Sequence, residues 1–240
     1  MQLQDMQARV SQRLDEGSGA AFYPAAEITA ALNEAQRFFC LLTLCLEKTA
    51  TWSVPSYASN SNSPFFHMLG TFTDWIAPLR ISTAGGAKVR PARLEDLNSL
   101  DSQWWNAPGA PIRYVALGVD LVGLYRQPAS TGTTLSVTYA RGPVALVNAT
   151  DVPEIPEEYH PELVSYAIYR MRQVEGGQEF AKSLEGFNGF LDAAGRLAAY
   201  VRARNLGSRY DKTPFEIESF DRSQLLKLRS DLVPSRKPVE

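Results

Sequence analysis

From Phe180 to Val201 the apolar residues Phe180, Leu184, Phe187, Leu191, Ala194, Ala198 and Val201 recur at alternating steps of four and three. That period is one stripe of an α-helix, and a stripe held this long must be covered by other helices. The small alanines late in the seam suit close antiparallel packing. A second stripe stands far away in the chain, at Ile28, Leu32, Ala35, Phe39, Leu42 and Leu46, with Pro24 placed to start the helix. Phe38, Leu41 and Leu44 widen it, so burial on more than one side is expected. The segments between have another texture, so the fold must fold two helical ends together across a β-rich middle.

The middle is punctuated like a set of short strands. Thr49–Tyr57 is rich in β-branched and aromatic residues and its strand ends at Pro55, before a polar loop at 58–64. Trp75–Thr83 and Lys88–Pro91 flank a Gly85-Gly86 turn. Leu94, Leu97 and Leu100 predict a short helix over 93–101, and strands follow at Arg113–Ala116, Leu121–Tyr125 and Thr133–Tyr139. Hairpin spacing of this kind predicts a small antiparallel sheet or sandwich. Outside it, Leu3–Glu16 reads as a helix closed by Gly17-Ser18-Gly19. Asp151–Pro156 reads as an extended crossing, leading to a helix with Leu163, Ala167, Arg170 or Met171, and Val174 inward, ended by Gly176-Gly177. The expected fold is α+β: an antiparallel helical bundle from the N- and C-terminal helices (1–48 and 151–207), an inserted antiparallel β-rich module (49–150), and an extended C-terminal arm (208–240).

The arm has its own character. From Arg202 onward nine Lys/Arg face six Asp/Glu, a net +3 in a chain of 240 residues whose net charge is −2, so the remainder carries −5. Tyr210, Phe215, Ile217 and Phe220 form one partly apolar cluster, and Leu225, Leu226 and Leu228 another, behind Asp221 and Gln224 spaced as a capping box. So short a segment cannot bury these side chains in a core of its own, which predicts docking on its own helices or on another chain.

Signals for chemistry are sparse. The two histidines, His67 and His160, have no HxxxH-type spacing to recommend a metal site, and no catalytic, metal or cofactor residue is expected. Cys40 and Cys45 are the only cysteines; at i and i+5 of one predicted helix they point to different faces, which argues against a disulfide. The Gly85-Gly86-Ala87-Lys88 turn lacks the P-loop pattern. Trp104 and Trp105 beside Tyr114 and Tyr125 could form an aromatic platform for a sugar or a base, though a Trp beside a Pro-Gly turn more often anchors a core. The N-terminus shows no apolar signal region and the longest apolar run, Phe38–Leu46, is too short to cross a bilayer. An enzyme is not expected.

Several stretches, in order, resemble the head-to-tail adaptor (connector or neck) proteins of tailed bacteriophages, chiefly the short-tailed kind. They are ITAALNEAQRFF at Ile28–Phe39, the Thr/Trp strand at Thr49–Val54, Leu94–Trp105, and G-x-P-x-x-Y at Gly109, Pro111 and Tyr114. L-Y-x-x-P at Leu124, Tyr125 and Pro128, V-x-Y at Val137–Tyr139, and I-P-E-E-Y entering a helix at Ile155–Ala167 complete the series. The resemblance implies a structural virion protein of the neck, assembled in the host cytoplasm and free of cofactors and membrane. It further implies a homo-oligomeric ring of twelve copies joining the portal protein to a tail or nozzle protein. Double-stranded DNA would pass through without sequence-specific binding, and the C-terminal arm would reach the portal. Readings from other classes are a carbohydrate-binding β-module using the Trp/Tyr cluster and an unfamiliar cytoplasmic hydrolase.

Overall fold

A computed structural model describes residues 1–14, 23–60, 63–129, 132–175 and 177–206. The fold is α+β, with five α-helices and seven strands among these residues. In chain order they are α1 (Leu3–Arg13), α2 (Ala25–Thr43), β1 (Glu47–Val54), β2 (Phe65–His67), β3 (Trp75–Thr83), β4 (Lys88–Pro91), α3 (Leu94–Leu100), β5 (Arg113–Leu117), β6 (Leu121–Tyr125), β7 (Thr133–Arg141), α4 (His160–Glu175) and α5 (Gly177–Leu206). The expected stops at Gly17–Gly19, Gly176 and Gly207, the side chains of Val174 and Phe180, and the whole arm with Tyr210, Phe215, Ile217, Phe220, Leu225, Leu226 and Leu228 lie outside the described residues.

α1, α2, α4 and α5 share one apolar core, because each carries a stripe that only the others can cover. α1 contributes Leu3, Met6 and Val10; α2 contributes Ile28, Leu32, Ala35 and Phe39; Leu163, Ala167 and Met171 come from α4, and Leu191, Ala194 and Val201 from α5. The buried face of α5 is wider than its seam, taking in Phe190, Ala193 and Leu197, because both α4 and α2 lie against it. Three details differ from the periodicity. α2 stops at Thr43, with Leu44 left-handed at φ 52°, so the chain turns early into β1. Leu41 is 56% exposed and does not widen the buried stripe. Arg170 stays outside, its Nε donating to Glu34 Oε2 at 3.2 Å, since a guanidinium in that core would lack a partner.

The strands form one curled sheet in the order β1-β7-β3-β4-β5-β6-β2. The expectation of a purely antiparallel module is corrected here. β4 and β5 run parallel, with Arg90 opposite Arg113 and Pro91 opposite Tyr114. A parallel neighbour needs a long crossover; the chain supplies it in residues 92–112, where α3 and the 3₁₀ turn Trp104–Asn106 carry it back to the start of β5. The sheet curls around its own core of Trp52, Tyr114, Leu124, Leu135, Val137 and Tyr139. Its two end strands come close enough for Trp52 of β1 to meet Phe66 of β2 edge-to-face at 5.2 Å.

Between β7 and the 3₁₀ turn Glu157–Tyr159 that leads into α4, the chain runs without regular structure, yet it is pinned at several points. Asn33 donates from Nδ2 to the Leu146 carbonyl and accepts the Leu146 N–H at Oδ1, at 3.0 and 2.8 Å. Gln36 Nε2 donates to the Val144 carbonyl at 2.9 Å, and the N–H groups of Leu3 and Gln4 donate to Asp151 and Ala149. Helical core and sheet are thereby joined by a hydrogen-bonded strap.

Candidate functional site

The stretch from Trp104 to Pro128 meets itself at the edge of the sheet. Gly109 donates its N–H to the Gln127 carbonyl at 2.8 Å, and Gln127 returns one to Ala107 at 2.9 Å. Gly109 has φ +142°, which a side chain rarely adopts, and a Cβ there would touch Arg126 Cδ at 3.4 Å. Pro111 and Pro128 are buried, and the Pro128 carbonyl accepts from Tyr57 N–H at 3.1 Å. The residues of both short motifs therefore come together as a backbone clasp.

The aromatic residues divide. Trp104 is buried, its Nε1 donating to Asn98 Oδ1 at 2.8 Å and its ring edge-on to Phe65 at 5.7 Å. It belongs to a small apolar cluster with Ala92, Leu97 and Val115, against which Tyr125 packs half-buried. Tyr114 points the other way, into the sheet core. Trp105 alone of the four is well exposed, at 46%. No stacking platform is formed by these four side chains.

The histidines have structural partners. His160 is buried at the start of α4, with Nε2 2.8 Å from the Ile155 carbonyl and Nδ1 2.9 Å from the Met1 amino nitrogen. Burial depresses its pKa below the ordinary value. His67 Nδ1 lies 2.8 Å from Asp120, whose carboxyl is held low first by the Leu69 N–H and then by His67. Cys40 and Cys45 are free thiols, but the helix ends between them, so the argument from helical faces does not apply. They hydrogen-bond to each other, and this contact, with burial, pushes the Cys40 thiol far up, away from nucleophilic use. Among the described residues no group of His, Cys, Asp or Glu is placed to hold a metal ion. No described helix is long and apolar enough to cross a membrane.

A bidentate ion pair joins β7 to the segment that follows it. Arg141, the last residue of β7, grips Glu154 with both guanidinium nitrogens, at 2.8 and 2.6 Å. Glu154 also accepts the Val144 N–H at 3.0 Å, and the Arg141 N–H donates to the Leu46 carbonyl at 2.9 Å. Arg141 holds the Glu154 carboxyl below the usual range. This fork locks the strap where it passes between sheet and helices, and sequence reasoning missed it; the two residues are thirteen apart with no motif joining them. On the same strap Val144, Val147 and Val152 are exposed, at 66, 77 and 52%.

Comparison with known proteins agrees with a structural role. No curated protein matches the chain. Residues 1–213 match the model of the SU10 adaptor protein family, a span that holds every described element. The chain belongs to the SU10 adaptor protein family, a family of structural phage adaptors.

Proposed function

We propose that this adaptor joins the portal to the tail of a short-tailed phage. Twelve copies close as a ring in the neck of the virion, having assembled in the host cytoplasm, and DNA passes through the ring without sequence-specific contacts. The observation that carries the reading is the family match over residues 1–213. The geometry is in keeping with it: two cores braced by the Arg141–Glu154 fork transmit load as one body, and heterologous contacts between such bodies close into rings. Exposed valines on a hydrogen-bonded strap suit a contact with the next copy. The arm from residue 208, with Tyr210, Phe215, Ile217, Phe220, Leu225, Leu226 and Leu228, attaches to the portal, and many copies add avidity.

The test is assembly on the partner. Full-length chain mixed with the portal of its own phage should co-sediment and add a ring in negative-stain images. A chain that never associates with the portal or any tail component sinks the reading. Truncation after Gly207 should leave the melting behaviour intact and abolish attachment. Unchanged attachment would show that the arm is not the tether, and an unfolded truncation would place it in its own subunit's core. The buried positions of Trp104 and Tyr114 and the partnered His160 lend no support to a glycan-binding or hydrolytic reading.

A further inference from the structure

The outer face of the sheet has a composition that its fold does not require. Cross-strand register places Thr49 opposite Thr138, Thr138 opposite Arg80, Arg90 opposite Arg113, and Arg113 opposite Tyr125. One step beyond the Ile81–Val89 pair, Arg80 faces Arg90 across a cleft of about 380 Å³ that opens where β3 and β4 part. A single row thus crosses six strands as Thr, Thr, Arg, Arg, Arg, Tyr. A second row on the same face reads Thr51, Ser136, Ser82 and Lys88. The inward neighbours Trp52, Leu135, Val137, Ile81 and Val89 are all core, so both rows point away from it. At the β5–β6 end the same side of the sheet carries the Trp104 cluster, so Arg113 and Tyr125 are half-buried and the open part of the row runs from Thr49 to Arg90.

Every side chain in these rows can donate a hydrogen bond, and no Asp or Glu occurs on the face over 49–53, 80–82, 88–90 and 134–138. Like charges placed directly opposite in a sheet are destabilising. Among the described residues no carboxylate is paired with Arg90 or Arg113 to offset this. Nor does a general positive surplus explain it, since the chain's net charge is −2. The directly opposed Arg90 and Arg113, with no carboxylate partner among the described residues, break a local rule in a way that suits a surface kept for something outside the chain.

We propose that this face receives the phosphodiester backbone of duplex DNA. Guanidiniums match phosphate oxygens in a fork, and hydroxyls are frequent phosphate donors. The three arginines span about 10 Å across adjacent strands, the axial length of about three phosphates of one strand. No base-reading element accompanies them, so binding is independent of sequence. The adaptor reading enters only in saying why DNA comes near; the chemistry of the face stands apart from it.

The experiment is fluorescence anisotropy of the full-length chain with short random-sequence duplexes, titrated at several salt concentrations. Arg90→Ser with Arg113→Ser is the test variant, and Arg9→Ser, at an exposed position of α1, is the control. Wild type should bind unrelated duplexes alike. The double variant should bind tenfold or more weakly at low salt, with the slope of log affinity against log salt reduced by about two. A variant with unchanged affinity and slope, a control that loses as much, or a wild type that binds no DNA at low salt overturns the proposal. So does poly-glutamate displacing DNA at lower charge concentration than DNA displaces itself, which would assign the face to an acidic protein segment. Thermal melts of the variants check the fold, and Arg90→Lys with Arg113→Lys, which keeps the charge, should retain most of the affinity if the double serine variant is unstable; loss of binding in that folded lysine variant overturns the proposal too. Portal co-sedimentation is scored separately: DNA binding without portal binding sinks the adaptor reading alone, and portal binding without DNA binding sinks this one.

Discussion

Replacing Glu154 by Gln tests whether the strap is held by its charged fork. The substitution keeps the volume, removes the charge, and turns an NH₂ toward donors on Arg141 or Val144. Hydrogen bonds to charged groups contribute about 1.5–3 kcal/mol, whereas exposed ion pairs contribute about 0.2–1 kcal/mol. With side chains 19 and 33% exposed, the pair lies between those limits, and a loss of about 1–2 kcal/mol is expected. In a chain of this size that lowers Tm by about 2–8 °C. The sign with pH follows from the depressed carboxyl of Glu154. Its contribution is complete above the unfolded carboxylate pKa of about 4.3 and disappears as pH falls through the lower native value. The gap between wild type and variant should therefore be full at neutral pH and close in acid, read from paired thermal or urea melts. Indistinguishable melts at pH 7, or a gap that persists unchanged at pH 3, would refute the reasoning.

Three further outcomes follow from the geometry. Trp104→Ala should cost about 3–5 kcal/mol by emptying a buried site, while Trp105→Ala should stay within about 0.5 kcal/mol; equal effects in urea melts would contradict the division of the pair. Gly109→Ala should cost about 1–3 kcal/mol, because alanine is strained at φ +142°, and a stable variant would show that the clasp tolerates another backbone path. Burial depresses the pKa of His160, so the fold disfavours its charged form relative to the unfolded chain. The unfolded chain binds its proton below about pH 6.5, so stability should fall as pH drops through that value. In His160→Gln that segment of the urea-derived pH profile should flatten, and an unchanged slope would assign the titration elsewhere.

Strand and helix positions were largely legible because burial imposes period on them. β3 and β4 span the residues whose alternation and Gly-Gly turn announced them, and the stripes of α1 and α2 supply the helical core. Leu44 shows a limit: an unbroken apolar run continues the helical pattern, yet the chain turns there because β1 must begin beside β7. The parallel β4–β5 pair was hidden for a related reason. Strand direction depends on where a crossover lands, and 92–112 reads the same whichever side it returns to.

The candidate surfaces divide along the same line. Composition and spacing alone left no catalytic or metal constellation in view, and ordered motifs at Gly109–Tyr114, Leu124–Pro128 and Ile155–Ala167 carried the family resemblance. Only the tertiary structure decided that Trp104 is an anchor and Trp105 a surface residue, that Arg141 finds Glu154, and that Arg80, Arg90 and Arg113 stand in one row. Period and composition act through local contacts, which neighbouring residues record. Register and cross-strand charge arise between residues distant in sequence, and no local signal encodes where such partners will meet.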